Sequence, residues 1–379
     1  MQKHYEAIII GAGLVGLCVA YYLTKAGLST ITIDKGFIGG GASGAGNGNI
    51  IVGNRQPGIL AELARRSLEE YERIRDWETG DFELERRGSF LLLEGQEEAQ
   101  EARGFIARQN RTGLSLAYLQ PGELAEAVPG ISADVAGGVY CRNDCSINPL
   151  LFLRVLKRAI ERSGGSMAFY ERVLRIEPPA SGCFRVSTDR GEYSCRVLID
   201  CAGVQAGDIA GLLGEQVPVL PNKGHIVVTE KAPFLRVPAK LRDWRDLGDA
   251  LPSAERTVNT VIEATASGNL LIGKSEENGE SSSGVSLLIV REVLARAIRF
   301  MPQLRDVRVI RIYTGLRPQS GDGLPLIGAS ARIAGFYYAC GHGGDGVTSA
   351  PITGRLLSQL IVDGKTEQIL RELSPARFA

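Results

Sequence analysis

The chain has 379 residues, which is enough for two domains and a large buried core. Its 43 basic and 43 acidic residues cancel, which argues against nucleic acid or an acidic membrane surface as the main partner. The seven cysteines, an odd number without the spacing of a disulfide framework, predict a cytoplasmic protein. No apolar run approaches the ~20 residues of a membrane span. The glycine-rich motif described below begins within about ten residues of Met1, so we expect no signal peptide.

The first recognisable motif follows an apolar, β-branched run at residues 7–10. The spacing Gly-x-Gly-x-x-Gly at residues 11–16 comes directly after it, and a segment with helical spacing continues from there. A second apolar run, 30–33, ends at Asp34. This order of strand, tight turn, helix, strand and acidic residue predicts a dinucleotide-binding βαβ unit. The alternative is a glycine-rich turn in another kind of α/β domain.

Each part of this unit has an expected role. Gly11 makes the turn, Gly13 lets the backbone approach a pyrophosphate, and Gly16 lets the helix pack on the strand. The helix N-terminus offers N–H groups to the phosphates, and Asp34 would hold the ribose hydroxyls, which disfavours NADP. The residues expected to contact the dinucleotide here are Gly11, Gly13, Leu14, Val15, Gly16, Asp34 and Lys35.

A second glycine-rich stretch covers residues 39–50. So many glycines disfavour a helix interior or a strand. A flexible linker is one interpretation, but the position just behind a nucleotide turn favours a loop that wraps a cofactor. Residues 57–77 then predict a helix with many surface charges.

The middle of the chain alternates strands and helices. Asn148 is placed to cap a helix that has Pro149 at its first position. The small-residue turn 201–203 follows a continuous apolar strand, as a buried strand should. The predicted elements are strand 88–93, helix 97–109, a short helix after Pro121, strand 137–140, helix 149–162, and strands 167–177, 184–188 and 197–200.

From residue 217 to about residue 304 the pattern changes to a mixed-sheet domain inserted into the first. Strands are expected at 219–220, 226–229, 258–261 and 270–272, with a long helix at 286–300. A strand-like segment 309–313, strand 336–340 and helix 349–360 then return to the first domain. The predicted class is α/β, a Rossmann-like nucleotide domain with an inserted α+β substrate domain. The expected division is 1–84, 146–216 and 306–379 for the nucleotide domain, and 85–145 and 217–305 for the substrate domain.

The order of the motifs resembles the D-amino-acid-oxidase superfamily of FAD enzymes, on the glycine-oxidase and sarcosine-oxidase side. The resemblance covers nearly the whole chain. Its motifs are the 11–16 glycines, Ala42-Ser43-Gly44, Asn148-Pro149, 198–203, 221–225, 271–273, 315–318 with 322–325, and 341–343. Segments 223–230, 339–342 and 375–378 are most similar to the smaller flavoprotein subunits of hydrogen cyanide synthase, opine oxidases, and proline or D-hydroxyproline dehydrogenases.

This resemblance implies bound FAD and assigns expected roles. Ser43 would contact phosphate, residues 47–50 would lie along the isoalloxazine, and Val173 would bond the adenine edge through its backbone. Residues 343–347 would face the pyrimidine end, and Arg317 would be the catalytic residue that binds a substrate carboxylate. The implied cofactor contacts are Ala42, Ser43, Asn47, Gly48, Asn49, Ile50, Val173, Cys201, Ala202, Gly203, Gly343, Gly344, Asp345, Gly346 and Val347.

Three departures from the family pattern modify this expectation. Gly344 stands where some glycine oxidases have a second arginine, so a doubly clamped glycine is doubtful. Gly315 stands where sarcosine oxidases attach flavin through a cysteine, so noncovalent FAD is expected. Leu271 takes the place of their oxygen-activating lysine, with Lys274 three residues on, which favours an acceptor other than oxygen.

Several residues have two interpretations. Cys141 and Cys145 lack the spacing of a zinc or redox pair, so they are expected to be incidental thiols, and no metal is predicted. His225, Glu263 and Tyr313 are candidate substrate contacts. For Glu263, a position at a solvated strand end is the favoured interpretation. His342 is expected to order a loop. Arg317 could be a structural ion-pair partner instead of a substrate clamp.

The resulting functional prediction is FAD-dependent oxidation of a C–N bond next to a carboxylate. Candidate substrates are D-hydroxyproline, proline, opines or glycine-like amines, with hydride passing to flavin N5. A second flavoprotein subunit and a small iron–sulfur subunit are expected partners. The alternatives are a flavin-holding subunit whose partner carries the catalysis, or a stand-alone amino-acid oxidase. Flavin monooxygenases and disulfide reductases are disfavoured, because their later motif and paired cysteines are missing.

Overall fold

A computed structural model describes residues 3–53, 55, 57–180, 182–247 and 256–378. The strands in this part are β1 (Lys3–His4), β2 (Ala7–Ile10), β3 (Thr30–Ile33), β4 (Asn49–Ile50), β5 (Ser89–Leu93), β6 (Leu116–Leu119), β7 (Gly137–Cys141), β8 (Cys145–Ser146), β9 (Ser166–Ala168), β10 (Val173–Ala180), β11 (Cys183–Thr188), β12 (Glu192–Cys195), β13 (Val197–Asp200), β14 (Val219–Lys231), β15 (Lys240–Asp243), β16 (Arg256–Ala264), β17 (Asn269–Asn278), β18 (Val309–Ser320), β19 (Leu326–Ala329) and β20 (Phe336–Cys340).

The helices are α1 (Leu14–Lys25), α2 (Ala42–Ala45), α3 (Ile59–Trp77), α4 (Gln96–Asn110), α5 (Pro121–Ala127), α6 (Pro149–Arg162), α7 (Ala206–Gly211), α8 (Leu287–Phe300), α9 (Gly346–Asp363) and α10 (Gln368–Glu372). Short 3₁₀ turns occur at Gly203–Gln205, Trp244–Asp246, Pro302–Asp306, Gly343–Asp345 and Pro375–Phe378. No helix in the described residues is both long and apolar enough to cross a bilayer.

The first sheet is the nucleotide-domain sheet, with strand order β19-β20-β13-β2-β3-β9. All neighbouring strands are parallel except β19 and β20. Every residue of β2 is buried, because helices α1, α6 and α9 cover one face and the β10–β12 sheet covers the other. The helix predicted to begin after Asn148 is confirmed. The Asn148 side chain caps it by accepting the Leu151 N–H, with Oδ1 3.3 Å from the nitrogen.

The second sheet has the order β18-β14-β17-β16-β15-β5-β7-β6. Helix α8 packs an apolar stripe, including Ile289 and Val293, on one face of it. The other face turns toward the first domain: a Cβ built on Gly315 of β18 would lie 2.8 Å from the Ala45 side chain of α2. The substrate-side sheet therefore closes over the 39–50 segment.

Three predicted strand segments were too short. Residues 219–220 and 226–229 belong to the one strand β14, and the 309–313 segment continues through Pro318 as β18. These two strands pair along nearly their whole length, which supplies the hydrogen bonds that local sequence does not signal. Pro318 is tolerated because β18 is an edge strand. The domain boundary expected at residue 306 therefore falls too early for the second sheet, which includes residues 309–320.

The glycine-rich stretch is more regular than predicted, because it contains the one-turn helix α2 and the short strand β4. Its glycines allow close backbone contact: a Cβ on Gly44 would overlap the Gly39 carbonyl, and one on Gly48 would overlap that of Ile147. The segment is therefore fixed by tertiary contacts, against the expectation that it could hold no helix or strand.

Helices α1 and α9 provide a test of this packing. A Cβ at Gly354 of α9 would lie 2.5 Å from the Cys18 carbonyl of α1, so we expect Gly354→Ala to cost about 1–3 kcal/mol of unfolding free energy. Gly104→Ala, on the exposed face of α4, is the matched control and should leave stability unchanged or slightly raised. Thermal unfolding of both variants measures this, and equal melting temperatures would contradict the packing argument.

Candidate active site

The β2–α1 turn is built from backbone contacts that exclude side chains. Gly11 has a φ of 110°, and a Cβ there would overlap the Cys201 carbonyl of the β13 turn. A Cβ on Gly16 would overlap the Gly11 carbonyl. Gly13 differs, because among the described residues outside its own helix only Ser43 Oγ, at 3.0 Å, lies within 4 Å of its built Cβ. The space in front of Gly13 is therefore open, as an approaching ligand requires.

The N-terminus of α1 faces this opening. The N-cap residue, Gly13, has no side chain to cap the helix. The Leu14 N–H instead donates to Ser43 Oγ, and the two atoms are 2.9 Å apart. Ser43 thus reaches the turn from the second glycine-rich segment. The positive end of the helix dipole and the Ser43 hydroxyl lie together, which suits a pyrophosphate.

Asp34 lies at the end of β3, directly beside the same turn. Its Oδ2 accepts the Ala12 N–H and its Oδ1 accepts the Gly36 N–H, both at 2.7 Å. A carboxylate has lone pairs beyond these two bonds, so Asp34 can also accept ribose hydroxyls. The Glu171 N–H donates to the Asp34 carbonyl, which brings the start of β10, and so Val173, near this end. The Lys35 side chain is exposed.

The 47–50 segment contains an unsatisfied acceptor. Asn49 Oδ1 is buried and has no hydrogen-bond partner in the described part of the chain. Strand β4 pairs with β8, which holds Asn49 and Ile50 in extended backbone. A buried orphan acceptor costs free energy unless a ligand supplies a donor. We call the 11–16 turn, Asp34, Ser43 and the 47–50 segment together the cofactor cradle. The open space at Gly13 and this unsatisfied acceptor make the cofactor cradle a good fit to FAD.

Residues 343–347 form a 3₁₀ turn that enters α9. Asp345 is ion-paired with Arg55, and the pKa of its carboxyl is lowered because Arg55 and Lys274 outweigh its burial. His342 is buried with Nε2 3.1 Å from Thr353 Oγ1, and burial lowers its pKa to about 4. This contact links His342 to α9, and its expected role in ordering the turn stays a prediction.

Arg317 lies on the site-facing side of β18. Its guanidinium lies across Gly224, where a built Cβ would be 2.5 Å from Nη1, and Nη1 donates to the Ser275 carbonyl at 3.0 Å. Its Cδ lies 3.6 Å from a Cβ built on Gly344, so the side chain touches the 343–347 turn. Burial lowers the pKa of Arg317, although Glu276 and Asp246 oppose this, and an arginine remains charged.

The other expected substrate contacts divide between the two faces of this sheet. Tyr313 is half-buried two strand positions from Gly315, on the same face as Arg317. Glu263 is buried beside Lys240, and desolvation raises the pKa of its carboxyl. The interpretation of Glu263 as a solvated strand end is therefore wrong.

The placement of His225 corrects the expectation that it contacts substrate. Its side chain is fully buried on the α8 face, where Nδ1 is 3.0 Å from Ser275 Oγ. Its Nε2 accepts the N–H of Ser286, the N-cap of α8, at 3.0 Å. Both ring nitrogens are thus occupied by protein groups, and the ring points away from Arg317.

Sequence reasoning missed a group of charges next to Arg317. Lys274 Nζ lies 2.7 Å from Asp246 and 2.9 Å from Glu276, and Arg242 also pairs with Asp246. The pKa of Glu276 is lowered, because Lys274 and Arg317 outweigh its burial. Lys274 and Glu276 are two residues apart and so share one face of β17, which could have predicted this pair. The predicted strand ended at residue 272 and therefore did not include them.

The cysteines show no redox arrangement in the described residues. Cys141 and Cys145 are buried free thiols, and desolvation raises the pKa of Cys145 to about 11. Cys201 is buried at the β13 turn, where its backbone and that of Ala202 pack against Gly11. No group of three or more metal-ligating side chains is assembled in the part of the chain that the structure describes.

A parallel nucleotide-domain sheet, a cradle that fits FAD and a second sheet closing over it define the class of FAD-dependent oxidoreductases. The family model described as FAD dependent oxidoreductase, DAO, matches residues 6–360, so the chain belongs to this family. The expected family, fold class and cofactor are thereby confirmed.

Three relatives illustrate the match. Glycine oxidase of Bacillus licheniformis is 27% identical, over 97% of this chain and 96% of its own. A subunit of the opine oxidase of Rhizobium meliloti is 28% identical, over 98% and 97%. The crystal structure of glycine oxidase from Geobacillus kaustophilus superposes with a TM-score of 0.89 at 25% identity, covering 99% of each chain.

The cradle yields a direct test. Gly13→Val should abolish FAD binding without unfolding the chain, because the side chain fills the open space before the turn. Gly191→Val, in the β11–β12 turn where a built Cβ meets nothing within 4 Å, is the control and should keep one FAD per chain. Acid precipitation should release FAD into the supernatant from the wild type and the control. Stoichiometric FAD in Gly13→Val would refute the assignment of the cradle.

Proposed function

We propose that this enzyme oxidises the C–N bond of an amino acid or a secondary amine acid and passes electrons to an acceptor other than oxygen. The candidates are D-hydroxyproline, proline, opines and glycine-like amines. FAD, when bound, supplies the redox chemistry by accepting hydride from the carbon next to nitrogen. The chain binds and orients the substrate, and no general base is required once the amine is neutral.

The proposal rests mainly on the Arg317 guanidinium, most of whose N–H donors form no hydrogen bond to the described residues. Among the described residues its guanidinium makes one hydrogen bond, to a backbone carbonyl, and Glu276 and Asp246 act on it only through their charge, without a hydrogen bond. A structural ion-pair partner would have its carboxylate in place. A desolvated guanidinium with unused parallel donors is instead suited to a ligand carboxylate, which it can grip through two N–H bonds.

The names of the relatives support the same substrate class. A glycine oxidase and an opine oxidase subunit align with nearly the whole chain. Gly344 lies against Arg317, so no second arginine reaches the site from this position. We therefore favour a substrate larger than glycine, held by one carboxylate clamp.

The proposal also covers the electron acceptor and the partner subunits. Leu271 lies opposite Glu263 in the sheet, and the nearby Lys274 ammonium is committed to Asp246 and Glu276. No lysine in the described part of this strand is therefore free for oxygen activation. The name of the opine oxidase relative, itself one subunit, supports assembly with a further subunit, and we propose that the partners are a second flavoprotein and a small iron–sulfur protein. The seven free cysteines support a cytoplasmic location.

Substitution of Arg317 tests the clamp. Losing a charge-assisted hydrogen bond worth roughly 1.5–3 kcal/mol should weaken substrate binding about 10- to 100-fold in Arg317→Ala. Arg317→Lys should recover part of the affinity, because it keeps the charge but not the fork. The measurement is the anaerobic rate of flavin reduction against substrate concentration, with FAD occupancy checked for each variant.

Arg291→Lys is the control for this experiment, since Arg291 is exposed on α8, on the far side of the sheet. It should behave as wild type. Unchanged affinity and rate in Arg317→Ala with full FAD would exclude the clamp. A flavin-holding subunit is the second candidate, favoured if the wild type with FAD is reduced by no amine.

The acceptor is tested by comparing two assays on the same substrate. We expect turnover with an artificial dye to exceed hydrogen peroxide formation in air by at least about tenfold, because the Lys274 ammonium of β17 is held by Asp246 and Glu276. Equal rates in the two assays would identify a stand-alone oxidase.

A further inference from the structure

Glu276 lies beside the Arg317 guanidinium on the site-facing side of the second sheet. The neighbouring residue, Ser275, points its hydroxyl at His225 on the α8 face. Successive side chains of a strand point to opposite faces, so the Glu276 side chain points toward the site. The Arg317 side chain reaches the same strand, β17, by crossing Gly224 of β14, which lies between β18 and β17.

One peptide group ties these two side chains together. Arg317 Nη1 donates to the Ser275 carbonyl oxygen at 3.0 Å, and that carbonyl belongs to the peptide bond leading into Glu276. Standard peptide dimensions place the Glu276 Cα about 3 Å from that oxygen, and so within roughly 6 Å of Nη1. The guanidinium and the carboxylate are therefore close enough for one small ligand to contact both.

The Glu276 carboxylate is accessible and has acceptors to spare. Its side chain keeps 17% of its surface exposed, and Lys274 Nζ contacts Oε1 at 2.9 Å. A carboxylate has about four lone-pair positions, so one ammonium leaves room for a second donor. Burial would raise the pKa of Glu276, but Lys274 and Arg317 lower it, so the group is ionised and only accepts hydrogen bonds.

The gap between the two side chains is one that a ligand can bridge. Arg317 and Glu276 interact through their charges without a hydrogen bond. The turn that enters α9 borders this gap: Arg317 Cδ lies 3.6 Å from a Cβ built on Gly344, and Lys274 acts through its charge on Asp345. A ligand held between Arg317 and Glu276 would thus lie next to the expected position of the isoalloxazine.

The α-carbon of an amino acid carries the two groups that this pair can bind. A guanidinium binds a carboxylate, and a carboxylate accepts hydrogen bonds from an ammonium. We propose that Glu276 binds the substrate nitrogen and, together with Arg317, selects acids that carry an amine on the α-carbon over acids without one. This rests on the proposed function and refines its substrate class.

This role is compatible with hydride transfer from a neutral amine. The bound ammonium loses one proton to solvent, and the resulting primary or secondary amine still has an N–H for Glu276. The same contact therefore holds the nitrogen before and after deprotonation, and Arg317 keeps the carboxylate in place.

Acids without a hydrogen on the carbon bonded to nitrogen make a test possible, because they cannot give hydride to the flavin. The pairs are 2-amino-2-methylpropanoate with 2,2-dimethylpropanoate, and 1-aminocyclopentanecarboxylate with 1-methylcyclopentanecarboxylate. Each pair differs only by an amino group in place of a methyl group. The ligands are titrated into the FAD-loaded enzyme at neutral pH, and binding is followed by the flavin absorbance.

In the pair of better size, we expect the amine to bind wild type about tenfold or more tightly than its methyl analogue, because it adds a charge-assisted hydrogen bond. A ratio near one in both pairs would overturn the proposal. So would the absence of binding by all of these ligands.

Glu276→Gln keeps the shape of the side chain and removes its charge. It should weaken binding of the amine about tenfold. The methyl analogue should bind at least as tightly as in wild type, because a negative charge near its carboxylate is gone. A merely structural role would weaken both ligands together. That result, or an unchanged amine affinity, would overturn the proposal.

Glu277→Gln is the matched control. It removes the same charge one residue away on the opposite face of β17, where Glu277 lies 3.4 Å from Lys223, and it should keep the wild-type ratio. If Glu276→Gln does not fold, Glu276→Asp keeps the charge but shortens the side chain. It should lower the amine preference, and an unchanged preference would count equally against the proposal.

The outcome remains distinct from that of the proposed function. The methyl analogues carry only a carboxylate, so loss of their binding in Arg317→Ala supports the clamp even where the amine preference is absent. Conversely, an amine preference that depends on Glu276 can be measured even if no amine reduces the flavin.

Discussion

The structure depends on a set of backbone contacts that leave no room for a Cβ. The Gly11 and Gly16 backbones touch each other and the β13 turn, and Gly354 lets α9 lie directly on α1. These contacts bring two parallel strands, one helix N-terminus and the 39–50 segment to a common point. The cofactor cradle is therefore a consequence of close main-chain packing.

Desolvation is the second constraint, and it acts where the two sheets meet. Buried Asp246 and the partly buried Lys274 and Glu276 pair with one another there, so these charges stay ionised. Arg317 is the exception in the described part of this cluster, because its only hydrogen-bond partner is a carbonyl. A site that pairs most of its charges and leaves one guanidinium uncommitted directs an incoming anion to that guanidinium.

Predictions from the sequence were accurate where an element depends on local interactions and inaccurate where it depends on contacts between distant residues. The Asn148 cap, the β2–α1–β3 unit and helix α8 were placed to within a residue or two, because their signals are local. The full lengths of β14, β17 and β18 were missed, since Gly and Pro residues within these strands are stabilised only by pairing.

Local sequence was enough to identify a two-domain nucleotide-binding protein and to predict an acidic residue, Asp34, at the end of its second strand. Glycine spacing and strand periodicity are properties of neighbouring residues, so they need no partner to be recognised. Which side chains face the site, in contrast, depends on how distant strands pair. Register shifts between Lys223 and Val227 and between Val258 and Val261 change which side chains share a face. They leave His225 under α8 and Glu263 beside Lys240, because the face of a strand is fixed by its pairing.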